Sequence, residues 1–171
     1  MKILQTQRLY LREFTIEDAT HFYDLNLDPE VIKHTGDEAF KSVEDAKTFL
    51  ENYDHYQKFQ FGRWAVIDQT NEEFLGWCGL KFSPEKDEVD LGFRFFQKHW
   101  NKGFAGEAAQ ACLNYGFNEL NLLQIVGRAM KANLASIRVL EKVGMQYLKD
   151  FEFDGNKGVI YKIENDENEK P

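Results

Sequence analysis

Residues 91–108, LGFRFFQKHWNKGFAGEA, constrain the chain more than any other stretch: an extended aromatic segment runs through a turn into what reads as a helix. Gly103 and Gly106 stand at that junction. Glycine there lets the backbone turn tightly and lets another group come close to it. The first N–H groups of a helix have no partner inside it, so those from Lys102 through Glu107 would point, with the positive end of the helix dipole, at an anion. Such a junction suits phosphate binding, and it equally suits a tight turn or close helix–sheet packing; by itself it leaves both readings open.

The rest of the chain supplies a sheet for this helix. Arg8–Phe14 alternates Leu9 and Leu11 with Tyr10 and Arg12, as a half-buried strand does. Thr15-Ile-Glu-Asp18 reads as a capping box opening a helix through about Leu27, before Pro29 interrupts it. Ser42-Val-Glu-Asp45 repeats the signal and predicts an amphipathic helix to about Lys58, with Phe49, Tyr53 and Tyr56 on one side. Strands are predicted over Gly62–Asp68, Glu73–Phe82 and Glu88–Phe96, with polar turns short enough to require antiparallel pairing. A helix over Phe104–Glu119, a buried strand over Leu123–Ala129 and a helix over Asn133–Val143 follow. A hairpin of Gln146–Asp154 with Gly158–Ile163, around Asp154-Gly155-Asn156-Lys157, closes the chain. The order β-α-α-β-β-β-α-β-α-β-β is that of an α+β domain, one sheet flanked by helices.

A chain of 171 residues fits one such domain with a sizeable core. No apolar run approaches the ~18 residues of a membrane span, and MKILQTQRLYLRE lacks the apolar core of a signal peptide, which predicts a cytoplasmic protein without a membrane partner. Cys78 and Cys112 have no CxxC spacing and read as reduced core residues. His21, His34, His55 and His99 form no ligand pattern, so no metal is expected. The net charge of −8 argues against a nucleic-acid partner, since phosphate recognition needs clustered Lys and Arg. That acidity either steers cationic partners such as amines or is an ordinary, mildly acidic balance. Residues 164–171 carry four acids and one lysine and read as a disordered acidic tail on a domain of residues 1–163.

Downstream of the glycine turn, Asn133-Leu-Ala-Ser136-Ile-Arg-Val-Leu140-Glu-Lys-Val-Gly144-Met places Asn133, Ser136 and Leu140 on one helix face, with Asn133 as N-cap and Gly144 just past the helix end. Together, FRFFQKHWNKGFAGEA and NLASIRVLEKVGM resemble the cofactor-binding core of the GNAT acetyltransferases, in particular the RimJ/RimL-type branch that acetylates protein N-termini and small amines. TQRLYLREFTIEDA is similar to that branch's first strand and helix and VDLGFRF to its fourth strand, so the resemblance covers residues 6–163. It implies a mixed, mostly antiparallel sheet with helices on both faces, and acetyl-CoA as co-substrate in a splay between the fourth and fifth strands. It also implies direct acetyl transfer to a primary amine, either a small molecule or a peptide N-terminus, by a monomer or homodimer.

By the same resemblance the pyrophosphate rests on the turn of Trp100, Asn101, Lys102, Gly103, Phe104, Ala105 and Gly106, held mainly by backbone N–H groups. Trp100 is familiar in this branch; Gly106 stands where Thr or Ser is common. The pantetheine arm lies along Phe93-Arg94-Phe95, and the Phe95 N–H polarises the thioester carbonyl. Phe93 and Phe95 also read as core aromatics on an alternating strand. Asp90 occupies a position where relatives often carry Glu; it is a general base, directly or through water, an anchor for the substrate ammonium, or half of a cross-strand ion pair. Asn133 matches a pantetheine-binding position and Ser136 faces the sulfur, although capping alone would account for both. Leu140 stands where many members carry a Tyr acid, which leaves Ser136, or unaided loss of a thiolate with pKa near about 8.5. Leu140 and Asp90 also motivate the alternative of a catalytically weak acyl-CoA-binding or sensing module. The acceptor pocket is expected among the first two helices and their loop, about Asp28–Ala39, where acids outnumber Lys33 and either attract cations or form an ordinary solvated loop.

Overall fold

The computed structural model describes residues 1–165. Eight strands form one sheet in the order β1-β2-β3-β4-β5-β6-β8-β7. They are β1 (Lys2–Gln5), β2 (Leu9–Arg12), β3 (Arg63–Asp68), β4 (Phe74–Ser83), β5 (Glu88–Phe95), β6 (Gln124–Met130), β7 (Gln146–Phe153) and β8 (Asn156–Glu164). Every neighbouring pair is antiparallel except β5 and β6.

Successive strand residues point to opposite faces, so the sheet carries two apolar layers. One face presents Leu9, Leu11, Trp64, Val66, Cys78, Leu80, Leu91 and Ile125 to helix α5 (Phe104–Asn118) and to α6 (Leu134–Lys142). The in-between residues Tyr10, Ala65 and Ile67 pack with Phe74 against α1 (Ala19–Leu27) and α3 (Val43–Glu51). The fold is therefore the expected α+β sandwich of helices about a mixed sheet. Cys78 and Cys112 face each other across the first layer, fully buried and free, with Sγ atoms 3.7 Å apart.

Several local signals hold. Ser42 Oγ accepts from Asp45 N–H (3.1 Å) at the start of α3, and Asp18 Oδ2 accepts from Thr15 N–H (2.9 Å). Helix α6 ends in a Schellman motif: Gly144 has φ 92°, Met145 N–H reaches Leu140 O and Gly144 N–H reaches Glu141 O.

Three expectations need correction. Strand β1, formed by the half-exposed edge residues Lys2–Gln5, adds an eighth strand that the sequence pattern did not announce. The helix predicted from Ser42 to about Lys58 is two: α3 stops at Glu51, and α4 (His55–Phe59) follows as a separate turn. The break lets Tyr53 and Tyr56 serve the backbone of β3. Tyr53 Oη accepts from Arg63 N–H (2.7 Å), while Tyr56 Oη donates to Arg63 O and accepts from Phe14 N–H. The closing hairpin turns on two residues rather than four: Asp154 (φ 47°) and Gly155 (φ 75°) are both left-handed, the geometry whose twist matches the strands. Between α1 and α3 lies the short helix α2 (Pro29–Ile32).

Strand β8 runs through Glu164, and Asn165 N–H donates to Leu123 O (2.9 Å); the remainder of the expected tail, 166–171, lies outside the described residues. Among the described residues no helix is long and apolar enough to cross a membrane.

Candidate functional site

The parallel pair β5/β6 is joined only at Asp90↔Val126 and Leu91↔Gly127. Beyond these positions β5 continues to Phe95 and β6 to Met130, so from Gly92 and Arg128 onward the strands part. A cavity of about 880 Å³ opens there, with Phe93 and Arg94 on one wall and Asn133 and Ser136 on the other. This is the splay expected between the fourth and fifth predicted strands, renumbered because β1 precedes them.

The edge of β5 facing this opening has an assignable hydrogen-bond state. Phe96 N–H donates to Leu75 O on the β4 side (3.1 Å), so one residue back the Phe95 N–H and C=O face the opening. The C=O is taken by the Trp100 indole N–H (2.9 Å). The Phe95 side chain is buried in the core, which makes both readings of this residue compatible: the ring packs while the backbone faces the cleft.

Past Trp100 the chain makes the glycine turn. Asn101 (φ 59°) and Gly103 (φ 81°) are left-handed, and Gly103 is the N-cap of α5 without a side-chain cap. The first N–H groups of α5 are thereby left open to a ligand, with Glu107 N–H already bonded to Gly103 O. A Cβ built on Gly106 would meet nothing within 4 Å. Packing thus does not require glycine at that position, and the space beside the helix start is free.

Arg8 and Glu107, which the sequence reading did not single out, brace this turn. Arg8 Nη1 donates to Lys102 O (2.9 Å), Arg8 Nε pairs with Glu107 Oε2 (2.7 Å), and the guanidinium lies 4.4 Å from the Phe104 ring centre. Glu107 Oε1 accepts from Thr6 Oγ1 and from Arg8 N–H. Burial alone would raise the Glu107 carboxyl, but these hydrogen bonds and the Arg8 charge together hold it below its ordinary value.

On the α1 side of the sheet the cavity floor is built from ion pairs. Arg63 crosses from β3 over Gly79 and Gly92; a Cβ on Gly92 would stand 2.6 Å from its Nη2. The missing side chain lets the guanidinium lie flat and reach Asp90, donating from Nη2 to Oδ2 (2.7 Å) and from Nη1 to the backbone O (2.8 Å). Both side chains are mostly buried. Arg94 points to the same face, donating to Asn26 Oδ1 (2.7 Å) and Asp37 Oδ2 (2.5 Å), and so ties the loop before α3 to the sheet. Trp77 lies between the two guanidiniums, 5.7 Å and 5.3 Å from them. Over the top, the Phe153 ring on the β7–β8 hairpin comes within 3.2 Å of a Cβ placed on Gly36, so hairpin and loop meet across the cleft.

Asn133 Oδ1 caps α6 by accepting from Ser136 N–H (3.1 Å), and both residues line the cavity. Leu140, one turn on, is 2 % exposed and packed on Gly127, away from the cleft. The structure thus gathers Asp90, Phe93, Arg94, Asn133 and Ser136 at one cavity and sets the turn Trp100–Gly106 at the end of its β5 wall. It adds Arg63, Arg128 and His34, whose partners or neighbours come from distant segments.

Comparison with known proteins agrees with this architecture. Residues 8–146 match the family model described as an acetyltransferase (GNAT) domain. The chain is 32% identical over 157 residues to an uncharacterized N-acetyltransferase, p20, of Bacillus licheniformis, covering 89% of this chain and 88% of that one. A solved GNAT-family acetyltransferase from Bacillus anthracis superposes with a TM-score of 0.83 at 27% identity, over 96% of this chain and 98% of the other. RimL, an α-N-protein acetyltransferase of ribosomal L7/L12 solved with coenzyme A, shares the fold at a TM-score of 0.84 and 15% identity, over 97% and 99%.

Proposed function

The chain belongs to the GNAT acetyltransferases, and from that premise we propose that it moves an acetyl group from acetyl-CoA directly to a primary amine while both substrates are bound. The observation that carries the reading is the two-residue β5/β6 pairing, which leaves a backbone edge open beside an uncapped helix start. These features fit the co-substrate: a turn with open N–H groups for the pyrophosphate, from Trp100 to Gly106, and a strand edge, Phe93–Phe95, for the amides of the pantetheine arm. When bound, acetyl-CoA supplies an activated thioester; every other contribution comes from the chain.

In this reading the Phe95 N–H donates to the carbonyl oxygen as it gains charge, an interaction worth about 3 kcal/mol in the transition state. The Trp100 indole holds the Phe95 carbonyl and so anchors the backbone at this residue. Asn133 spends Oδ1 on its helix cap and keeps its NH₂ group for the pantetheine arm. The Ser136 hydroxyl stands on the same wall to protonate the departing sulfur. Asp90 takes the amine proton through water or holds the incoming ammonium, with Arg63 holding the carboxylate in place. The setting is cytoplasmic, where acetyl-CoA is available.

Two observations favour a second reading, an acyl-CoA-binding module: the Asp90 carboxylate is already engaged by Arg63, and Leu140 is turned into the core. Thiol release from acetyl-CoA against a panel of spermidine, amino acids, an aminoglycoside and short peptides separates the two. Amine-dependent release, impaired by Asn133→Ala, is expected of the transferase; tight acetyl-CoA binding without release from any amine marks the binder.

A further inference from the structure

The acidic balance of the chain suggests a cationic acceptor, but the cleft itself does not. Three of the four acids of the acceptor loop are engaged, the exposed Glu38 being the exception among the described residues. Asp28 caps α2 by accepting from Glu30 N–H (2.9 Å), Glu30 lies 3.6 Å from Lys33, and Asp37 is bound to Arg94. On the cavity wall Asp90 is paired with Arg63, Glu88 with Arg128, and Asp150 with Lys131. Of the lining carboxylates only Glu152, exposed on the hairpin, pairs with no cation among the described residues, whereas two lining lysines, Lys86 and Lys149, have no carboxylate partner there.

Among the arginines that line the cavity, Arg128 has the fewest side-chain hydrogen bonds to the described residues. It stands on β6 one step beyond the last paired position, where the strands begin to part. Its side chain is only 21% exposed, and Glu88 is its one hydrogen-bond acceptor among the described residues. A guanidinium carries five N–H donors in a rigid fork suited to a carboxylate or phosphate, so most of its donors open on the cavity.

We propose that the acceptor is an amine that also carries an anionic group, a carboxylate or phosphate, which Arg128 receives with Lys149 at the rim. This rests on the transferase reading and names its substrate class.

The test is calorimetric titration of Ala-Asp, Ala-Asn and Ala-Lys, each with a free or an amidated C-terminus, into the protein with and without CoA. Acid-bearing dipeptides are expected to bind at least tenfold more tightly than Ala-Asn amide, with the advantage falling as salt is raised from about 50 to 500 mM. A preference carried by the free C-terminus points to a small amino-acid-like acceptor; one carried by the Asp side chain points to an acidic peptide N-terminus. Arg128→Gln should abolish the preference and Lys149→Gln reduce it, with CoA affinity changed less than twofold; Arg128→Lys, which keeps the charge, should retain part of it. Equal affinities, a preference for Ala-Lys, or no binding by any acid-bearing amine overturns the proposal. A loss of CoA affinity in Arg128→Gln overturns it too, by assigning the arginine to the donor. Failure of the transferase reading is separate: CoA itself would not bind, or acetyl-CoA would release no thiol with any amine.

Discussion

The donor and acceptor halves of the cleft are built from different materials. On the donor side most of the proposed contacts are backbone groups: a strand edge at Phe93–Phe95 and a helix start at Gly103–Gly106, joined by the Asn133 amide and the Ser136 hydroxyl, with Trp100, Arg8 and Glu107 bracing them. On the acceptor side nearly every polar contact is a side-chain ion pair spanning separate elements. A backbone site accepts one constant ligand and tolerates sequence drift. A side-chain site changes its preference when a single residue changes, which is how one fold serves many acceptors.

That difference can be broken most severely at Arg63. Removing it strands the mostly buried Asp90 carboxylate and frees two backbone carbonyls, and we expect Arg63→Ala to cost about 3 kcal/mol of stability. Replacing both partners, as Arg63→Met with Asp90→Leu, should restore much of the loss while leaving CoA affinity intact. Denaturant midpoints for the two single variants and the double variant measure this. Additive losses would show that the pair is not coupled. On the donor side, Gly103→Val should weaken CoA binding at least tenfold, about 1.4 kcal/mol, because the side chain blocks the turn. Its φ of 81° also strains a branched residue, so Gly103→Asn, which tolerates that conformation, is the control for folding. Unchanged affinity in both variants would place the phosphates elsewhere.

The same division decides what could be read from the sequence. Signals carried within a few residues were legible: the glycine turn, the Ser42 and Asn133 caps, the Schellman end at Gly144, and the strand alternation that sorts Leu9 and Leu11 from Tyr10. The break after Glu51 was not, because its cause is the Arg63 backbone that Tyr53 and Tyr56 serve. Nor were the partners of Asp90, Glu107 and Glu88, which lie 27, 99 and 40 residues away in the chain. Asp90 was marked as a site residue with its ion pair left open; nothing local announced that Gly92 would leave room for the guanidinium of an arginine from β3.

Acid should act on both halves, through one buried histidine beside each. His55 Nε2 accepts from Phe82 N–H (3.0 Å) on the acceptor flank, and His99 leads into the donor turn. Burial holds both below the ordinary value of 6.5. The unfolded chain therefore takes up protons first, and stability falls as pH drops below about 6.5 until the lowered folded values are reached, by at most about 1.4 kcal/mol per pH unit for each group. Carboxylates such as Glu107, lowered from 4.5, contribute only at more acid pH. Denaturant unfolding between pH 7.5 and 5 should show the loss, and His55→Gln or His99→Gln should each remove part of it. A flat profile would mean that neither histidine resists protonation.

The smallest effect asks whether a side chain can still improve the backbone half. Gly106 leaves open space beside the first turn of α5, where a Cβ would meet nothing within 4 Å outside the helix's own backbone, close to the open N–H groups of the helix start. Serine also favours helix more than glycine does, so Gly106→Ser costs the fold nothing and should tighten CoA binding about threefold through one added hydrogen bond. Gly106→Ala separates the two contributions, since it brings the helix propensity without the donor. If Ala gains as much as Ser, the benefit is a stiffer helix start. If Ser alone gains, side chains can add to a phosphate site that the backbone already forms, and the contrast between the two halves becomes one of degree.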